Sequence, residues 1–163
     1  MTKFNNTKKE SYLKNFTLSS IDLDNDDITK RCKFNFSYMD FNQPAGQKFE
    51  DWGSNQLVKL LNKLKDYSRE SLKYWNQQKI GANHVLEFYE KFPINSEFKH
   101  PKHVPHQAVW ARFRLEGSVR LIGFVLPENY HKTLHKGTNE IFDCNTFYAV
   151  FLDANHKFYL SQN

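Results

Sequence analysis

Three arginines lie close together in one stretch of the sequence. Arg112 and Arg114 are two residues apart, and Arg120 follows the turn signal Glu116-Gly117-Ser118. Guanidiniums at this spacing on one face of a β-hairpin can hold one phosphate or two neighbouring phosphates. The alternative is a surface pair between Glu116 and one arginine, which contributes less than ~1 kcal/mol. One glutamate cannot neutralise all three arginines, so phosphate binding is kept as an interpretation beside the surface pair.

A second group of side chains that could take part in catalysis or binding is His156, Lys157 and Tyr159. Histidine can act as a general acid or base near neutral pH, and tyrosine can orient a phosphate or stack on a base. A single histidine after a turn is more often structural. Its functional value depends on whether the last segment returns beside the arginine hairpin.

Two groups of possible metal ligands are weaker. His100, His103 and His106 recur every third residue, but Pro101 and Pro105 interrupt them, so the imidazoles need not converge. A zinc site and a solvated basic loop are the alternatives here, and the prediction for the chain is that it holds no metal and no other cofactor. The acidic run Asp22, Asp24 and Asp26 resembles a calcium loop, but it lacks the glycine and the bidentate glutamate that such a loop needs.

Composition limits the class of protein. The chain has 163 residues, of which 39% are hydrophobic and 16% aromatic, which is enough for one folded domain. The net charge of +5 favours a polyanionic partner, although a charged surface also serves solubility alone. Cys32 and Cys144 are too few for a disulfide framework, which predicts reduced thiols and a cytoplasmic protein. No apolar run suggests a signal peptide or a membrane span.

The hydrophobic pattern predicts the elements that would position these residues. Residues 1–30 read as a polar arm, and residues 31–163 as one α+β domain. Alternation predicts a strand over residues 32–41, and helical spacing predicts helices within residues 50–79 and at residues 84–91. The apolar helix face carries Leu57, Leu60, Leu61 and Leu64, with Ser54 as the expected cap.

The C-terminal half reads as a sheet. Residues 107–126 predict a hairpin in which Val109, Ala111, Phe113 and Leu115 share one face and Trp110, Arg112, Arg114 and Glu116 the other. Residues 145–153 predict a central strand, and residues 156–160 a short last strand. The predicted fold is α+β, with N-terminal helices packed on a C-terminal antiparallel sheet of three to four strands and an extra N-terminal strand.

This layout resembles the RelE/YoeB family of toxins, which are ribosome-dependent mRNA endonucleases. The resemblance rests on WARFRLEGSVRLIGFV at residues 110–125 and FLDANHKFYL at residues 151–160, and it covers roughly residues 55–160. It implies metal-independent RNA cleavage by attack of a 2′-hydroxyl. It also implies RNA, including ribosome-bound mRNA, and a protein antitoxin as partners.

The resemblance also implies roles for individual residues. Glu116 would be the base, Arg120 would hold the phosphate, His156 would be the general acid and Tyr159 would orient the nucleotide. Arg112, Arg114 and Lys157 would bind the substrate. These toxins are shorter than this chain, and residues 1–50 have no counterpart in them. A non-enzymatic protein that holds a nucleic-acid or protein partner through a basic aromatic surface is the second hypothesis.

Overall fold

The computed structural model describes Lys8 and residues 28–160, and this part of the chain folds into two helices and seven strands, with short 3-10 turns between them. The helices are α1 (Ser54–Tyr67) and α2 (Leu72–Gln77). The strands are β1 (Lys33–Asn35), β2 (Lys79–Ile80), β3 (Asn83–His84), β4 (Leu86–Tyr89), β5 (Val109–Glu116), β6 (Val119–Val125) and β7 (Thr146–Asp153).

Five strands form one mixed sheet in the order β1-β7-β6-β5-β4, and β2 and β3 form a separate two-stranded sheet. Strand β1 pairs with β7 in parallel, with Phe34 opposite Phe147, and the other pairs in the large sheet are antiparallel. The α+β class is therefore confirmed. The predicted arrangement, three to four antiparallel strands with an extra N-terminal strand, is not confirmed in detail, because β1 joins the sheet through a parallel pair and a second, two-stranded sheet is present.

The β5–β6 hairpin forms where the alternation predicted it. Its turn lies at Gly117 and Ser118, and Gly117 adopts a φ of +52°, which glycine reaches without a steric penalty. Alternate residues of β5 divide between the two faces of the sheet as expected. Ala111 and Phe113 are buried on one face, and Trp110 is buried on the other.

Helices α1 and α2 contribute to the core on the first of these faces, called here the helix side. The buried residues of the helices are Leu60, Leu64, Tyr67 and Leu72, and they belong to one cluster with Phe113, Leu121 and Phe147 of the sheet. Leu61 was predicted on the buried face, but its side chain is 64% exposed, because the buried stripe of α1 is narrower than the sequence suggests. Gly53 rather than Ser54 caps α1.

The opposite face, called here the loop side, is buried without a helix. Residues from irregular segments cover it, including Ala45, Phe98, Val104 and Phe158. They pack on Trp110, Ile122, Phe124 and Phe151 of the sheet. Aromatic stacking is dense here, with ring centroids of Phe98 and Phe151 4.6 Å apart. The loop segments are therefore part of the core.

A β-bulge in β7 changes which face of the sheet the later side chains of that strand occupy. Ile122 pairs with Phe151, whereas the next residue, Gly123, pairs with Ala149, so Val150 is an extra residue in the ladder. Before the bulge, Phe147 and Ala149 face the helix side. After it, Phe151 faces the loop side, which reverses the alternation. The bulge thus sets which face receives Asp153.

Three predicted elements are wrong. Residues 84–91 are not helical, because Leu86–Tyr89 pairs with β5 as a strand. The strand predicted over 32–41 ends at Asn35, whose side-chain oxygen accepts from the backbone N–H of Ser37 at 2.9 Å and so bends the chain. Residues 156–160 form no strand, since the Asp153 carboxylate accepts from the N–H groups of Lys157 and Phe158.

Only one of the two groups of candidate metal ligands lies among the described residues. Within residues 28–160 and Lys8, no three or more His, Cys, Asp and Glu side chains cluster as a metal site. His100 and His106 stack on each other, and His103 instead contacts the carbonyl oxygen of Tyr38 through Nε2 at 3.0 Å. Asp22, Asp24 and Asp26 lie outside the described residues. No helix of the described part is long and apolar enough to cross a membrane.

We expect Cys32 to resist thiol reagents while the protein is folded. Its side chain is 3% exposed and donates to the Tyr67 carbonyl, and burial raises the pKa of the thiol to about 12. Because the thiolate is the reactive form, the reaction with a disulfide reagent at pH 8 should be slow and should speed up on unfolding in urea. Native-state labelling of Cys32 at the rate of a free thiol, measured by peptide mass spectrometry, would contradict the burial.

Candidate functional site

Arg112, Arg114 and Arg120 lie together on the loop side of the sheet, and we call them the guanidinium cluster. Arg114 of β5 pairs directly with Arg120 of β6, and Arg112 is two positions along the same face of β5. Like charges directly opposite each other in a sheet destabilise it. The hairpin therefore concentrates positive charge at one place.

Arg112 is fully engaged by two neighbours. Its Nε donates to Glu87 Oε2 at 2.9 Å, and its Nη2 also donates to that oxygen. Its Nη1 donates to His156 Nε2 at 2.8 Å. Because a guanidinium can only donate, Nε2 is the accepting nitrogen and Nδ1 carries the ring proton. The chain Glu87–Arg112–His156 thus fixes the tautomer and orientation of His156.

Arg120 is buried, with 7% of its surface exposed. Its Nη1 donates to the carbonyl oxygens of Gly117 and Val119, at 2.7 Å and 2.8 Å. Burial lowers the pKa of Arg120, and the charges of Arg112 and Arg114 lower it further. Asp153 lies opposite Arg120 in the register and opposes this shift. The carboxylate is thus the local counter-charge of Arg120.

Arg114 differs from the other two arginines. Its Nη1 is buried and has no hydrogen-bond partner within the described part of the chain. Its neighbour across the ladder is another arginine. A buried donor without an acceptor costs about 1–3 kcal/mol, and more when the group is charged. An oxyanion at this position would satisfy Arg114 and relieve its repulsion with Arg120.

Tyr159 reaches the site through Tyr89. Their rings stack with centroids 5.5 Å apart, and the Arg112 guanidinium carbon lies 5.9 Å from the centre of the Tyr89 ring. Burial raises the pKa of the Tyr89 phenol, and Arg112 opposes that shift. The Tyr89 hydroxyl is buried without a hydrogen-bond partner among the residues described. The Tyr159 ring is 44% exposed and is open to a ligand.

Two predicted site residues are not brought to the cluster. Glu116 follows a register shift in β5 and ion-pairs with Lys59 of α1, with Oε2 and Nζ 2.9 Å apart. Lys157 directs its ammonium group to Glu97 at 2.7 Å. The structure therefore places Arg112, Arg114, Arg120, His156 and Tyr159 in one region, without these two side chains.

Sequence reasoning missed three residues of the site: Glu87, Tyr89 and Asp153. Glu87 and Tyr89 lie within residues 84–91, for which the sequence predicts a helix. The run of Leu86, Phe88 and Tyr89 after a Gly-Ala-Asn turn signal favours a strand, and this was the available clue. Asp153 is the last residue of the predicted strand 145–153, and nothing in the sequence shows that it is only 1% exposed.

Together, these residues form a cationic group with one oriented imidazole and two carboxylates, those of Glu87 and Asp153, at its edge. Such a group can bind a phosphate and can supply a proton donor beside it. No protein-family model, no curated protein and no solved structure matches this chain.

Proposed function

We propose that this protein binds RNA at the guanidinium cluster and cleaves it as a metal-independent endoribonuclease of the RelE/YoeB toxin type. The observation that carries the proposal is the buried Nη1 of Arg114, which has no hydrogen-bond partner among the described residues, on a side chain that lies opposite Arg120 and beside the Arg112–His156 pair. Two helices precede the arginine-bearing strands, and His156 and Tyr159 follow them, which agrees with the resemblance. Ribosome-bound mRNA, a protein antitoxin and a cytoplasmic location belong to the same proposal.

The chemistry assigns a task to each group. Arg114 and Arg120 hold the scissile phosphate and stabilise the charge that develops on its oxygens. A base removes the 2′-hydroxyl proton, the 2′-oxygen attacks phosphorus, and the bond from phosphorus to the 5′-oxygen breaks. The bound phosphate draws Arg112 away from His156 Nε2, and the freed imidazole takes up a second proton. The resulting imidazolium gives its Nδ1 proton to the 5′-oxygen, so the products are a 2′,3′-cyclic phosphate and a 5′-hydroxyl. Glu87, which is partly exposed at the cluster, takes the place of Glu116 as the base.

A second candidate function is binding of RNA without cleavage. It is favoured by the engagement of Glu87, whose carboxylate oxygen already accepts two hydrogen bonds from Arg112. A carboxylate held in this way is a weaker base, since its negative charge is already stabilised. Both functions require the same phosphate site, and they differ only in whether the bound strand is cut.

We expect the chain to bind single-stranded RNA in a salt-dependent manner through Arg114. Replacing Arg114 with alanine should weaken binding at low salt and reduce the slope of log affinity against log salt by about one, because one phosphate contact is lost. The matched control is Arg69→Ala, which removes the same charge from an exposed position. Fluorescence anisotropy with a labelled RNA at several salt concentrations measures both quantities. Equal slopes for the two variants would remove Arg114 from the binding site.

His156→Asn separates cleavage from binding. Asparagine tolerates the left-handed backbone of residue 156, whose φ is +59°, so the fold is kept. The endonuclease proposal expects the unaltered chain to release 2′,3′-cyclic phosphate ends from RNA or from translating ribosomes, and the variant to bind without cleaving. RNA binding without any cleavage by the unaltered chain would favour the second candidate.

A further inference from the structure

A cleft between α1 and the β5–β6 hairpin encloses a cavity of about 350 Å³. Trp52, Leu60, Leu115 and Val119 form the apolar part of its wall, and six polar or charged residues line the rest. Small-molecule sites commonly have this size and an apolar lining with a few polar groups. The wall residues Trp52, Leu60 and Leu115 belong to the helix-side core, so the cleft is separate from the guanidinium cluster on the loop side.

The charged groups at this cleft are not all neutralised. Glu116 is paired with Lys59, and Asp66 lies 3.9 Å from its neighbour Lys65. Lys63 also lines the cleft, but its Nζ lies over the Tyr67 ring and has no carboxylate partner within the described part of the chain. A cation beside an apolar cavity favours a ligand that combines an apolar body with an anionic group.

The Trp52 side chain supplies a second, independent indication. Its indole lines the cleft, and its Nε1–H is buried with no hydrogen-bond acceptor among the described residues. Most buried polar groups have a partner, and the described residues supply none for this N–H. A ligand that shifts the Trp52 indole as it enters the cleft can supply an oxygen acceptor, whereas a purely apolar ligand cannot.

We infer that this cleft binds a small amphipathic carboxylate. The apolar body packs against Leu60, Leu115 and Val119, and the carboxylate lies toward Lys63 and the Trp52 Nε1–H. This inference does not rest on the proposed RNA function, because none of these residues belongs to the guanidinium cluster.

The test uses two probes of the same shape, 4-phenylbutyrate and the neutral 4-phenylbutan-1-ol. Trp52 reports binding by its own fluorescence, and saturation-transfer NMR on the probes reports it without any substitution. We expect the acid to bind saturably and the alcohol to bind about three- to tenfold more weakly, since the alcohol cannot pair with Lys63. Lys63→Gln should weaken binding of the acid by a similar factor and leave binding of the alcohol unchanged.

Lys73→Gln is the matched control, because Lys73 is an exposed lysine of α2 that does not line the cleft. It should not change the affinity for the acid. Equal affinity for both probes, equal effects of the two lysine variants, or no saturable binding of the acid by NMR would each overturn the inference.

Discussion

Replacing Gly123 with alanine is expected to destabilise the protein by at least about 3 kcal/mol, a large part of the stability of an ordinary domain. A Cβ at this position would lie 2.2 Å from the Tyr148 carbonyl oxygen and 2.7 Å from the Phe147 ring. The oxygen belongs to the adjacent strand and cannot turn aside, so β6 and β7 would have to separate. Urea denaturation followed by circular dichroism measures the loss.

Gly53→Ala is the control for this substitution. An added Cβ at Gly53 meets no atom within 4 Å, and the residue caps α1 with an ordinary negative φ. Its cost should stay within about 1 kcal/mol. If Gly123→Ala unfolds at the same urea concentration as the unaltered protein, the close approach of β6 and β7 at the bulge does not exist.

Asp153→Ala is expected to cost about 3 kcal/mol, because it leaves several backbone donors without acceptors and removes the nearby counter-charge of the buried Arg120. The carboxylate accepts from the N–H groups of Asn155, Lys157 and Phe158 at distances of 3.2, 2.9 and 2.9 Å. It also lies opposite the buried Arg120 in the register. The substitution should loosen the segment that carries His156, so the RNA cleavage proposed above should fall along with stability.

The control is Asp66→Ala, which removes an exposed carboxylate that is paired weakly with Lys65 at 3.9 Å. Surface substitutions of this kind change stability by about 0.5 kcal/mol or less. Chemical denaturation of both variants gives the comparison. A loss for Asp153→Ala no larger than that for Asp66→Ala would show that the buried carboxylate does not hold the turn after β7.

The β5–β6 hairpin was predictable because its information is local. Alternation in residues 109–116 and the Gly117 turn lie within one short segment, and both cores keep the predicted faces of β5. Strand β4 was not predictable in this way. Its conformation depends on pairing with β5, more than twenty residues later in the chain, and a short apolar run reads equally well as a helix.

The candidate site was predictable only in part, for reasons that lie in single residues. The grouping of the three arginines on the hairpin follows from its alternating sequence pattern. Glu116 was assigned to the same face, but the register shift after Arg114 lets it reach Lys59 instead. Period-two patterns cannot locate such shifts, since one extra residue reverses every later side chain. The contact of His156 with Arg112 depends on the turn held by Asp153. It could therefore not be predicted from any local sequence pattern.

Strand β1 joins the sheet only through β7, so it cannot take its place until β7 has been synthesised. Lys33 and Thr146, which pair in the parallel ladder, lie near opposite ends of the described chain. Closing so long a loop carries an entropic cost that only the finished β4–β7 meander can offset. Folding should therefore proceed from the local β5–β6 hairpin outward, with the docking of β1 as the late step. Until then the Phe147 edge of β7 stays open to pairing with other chains.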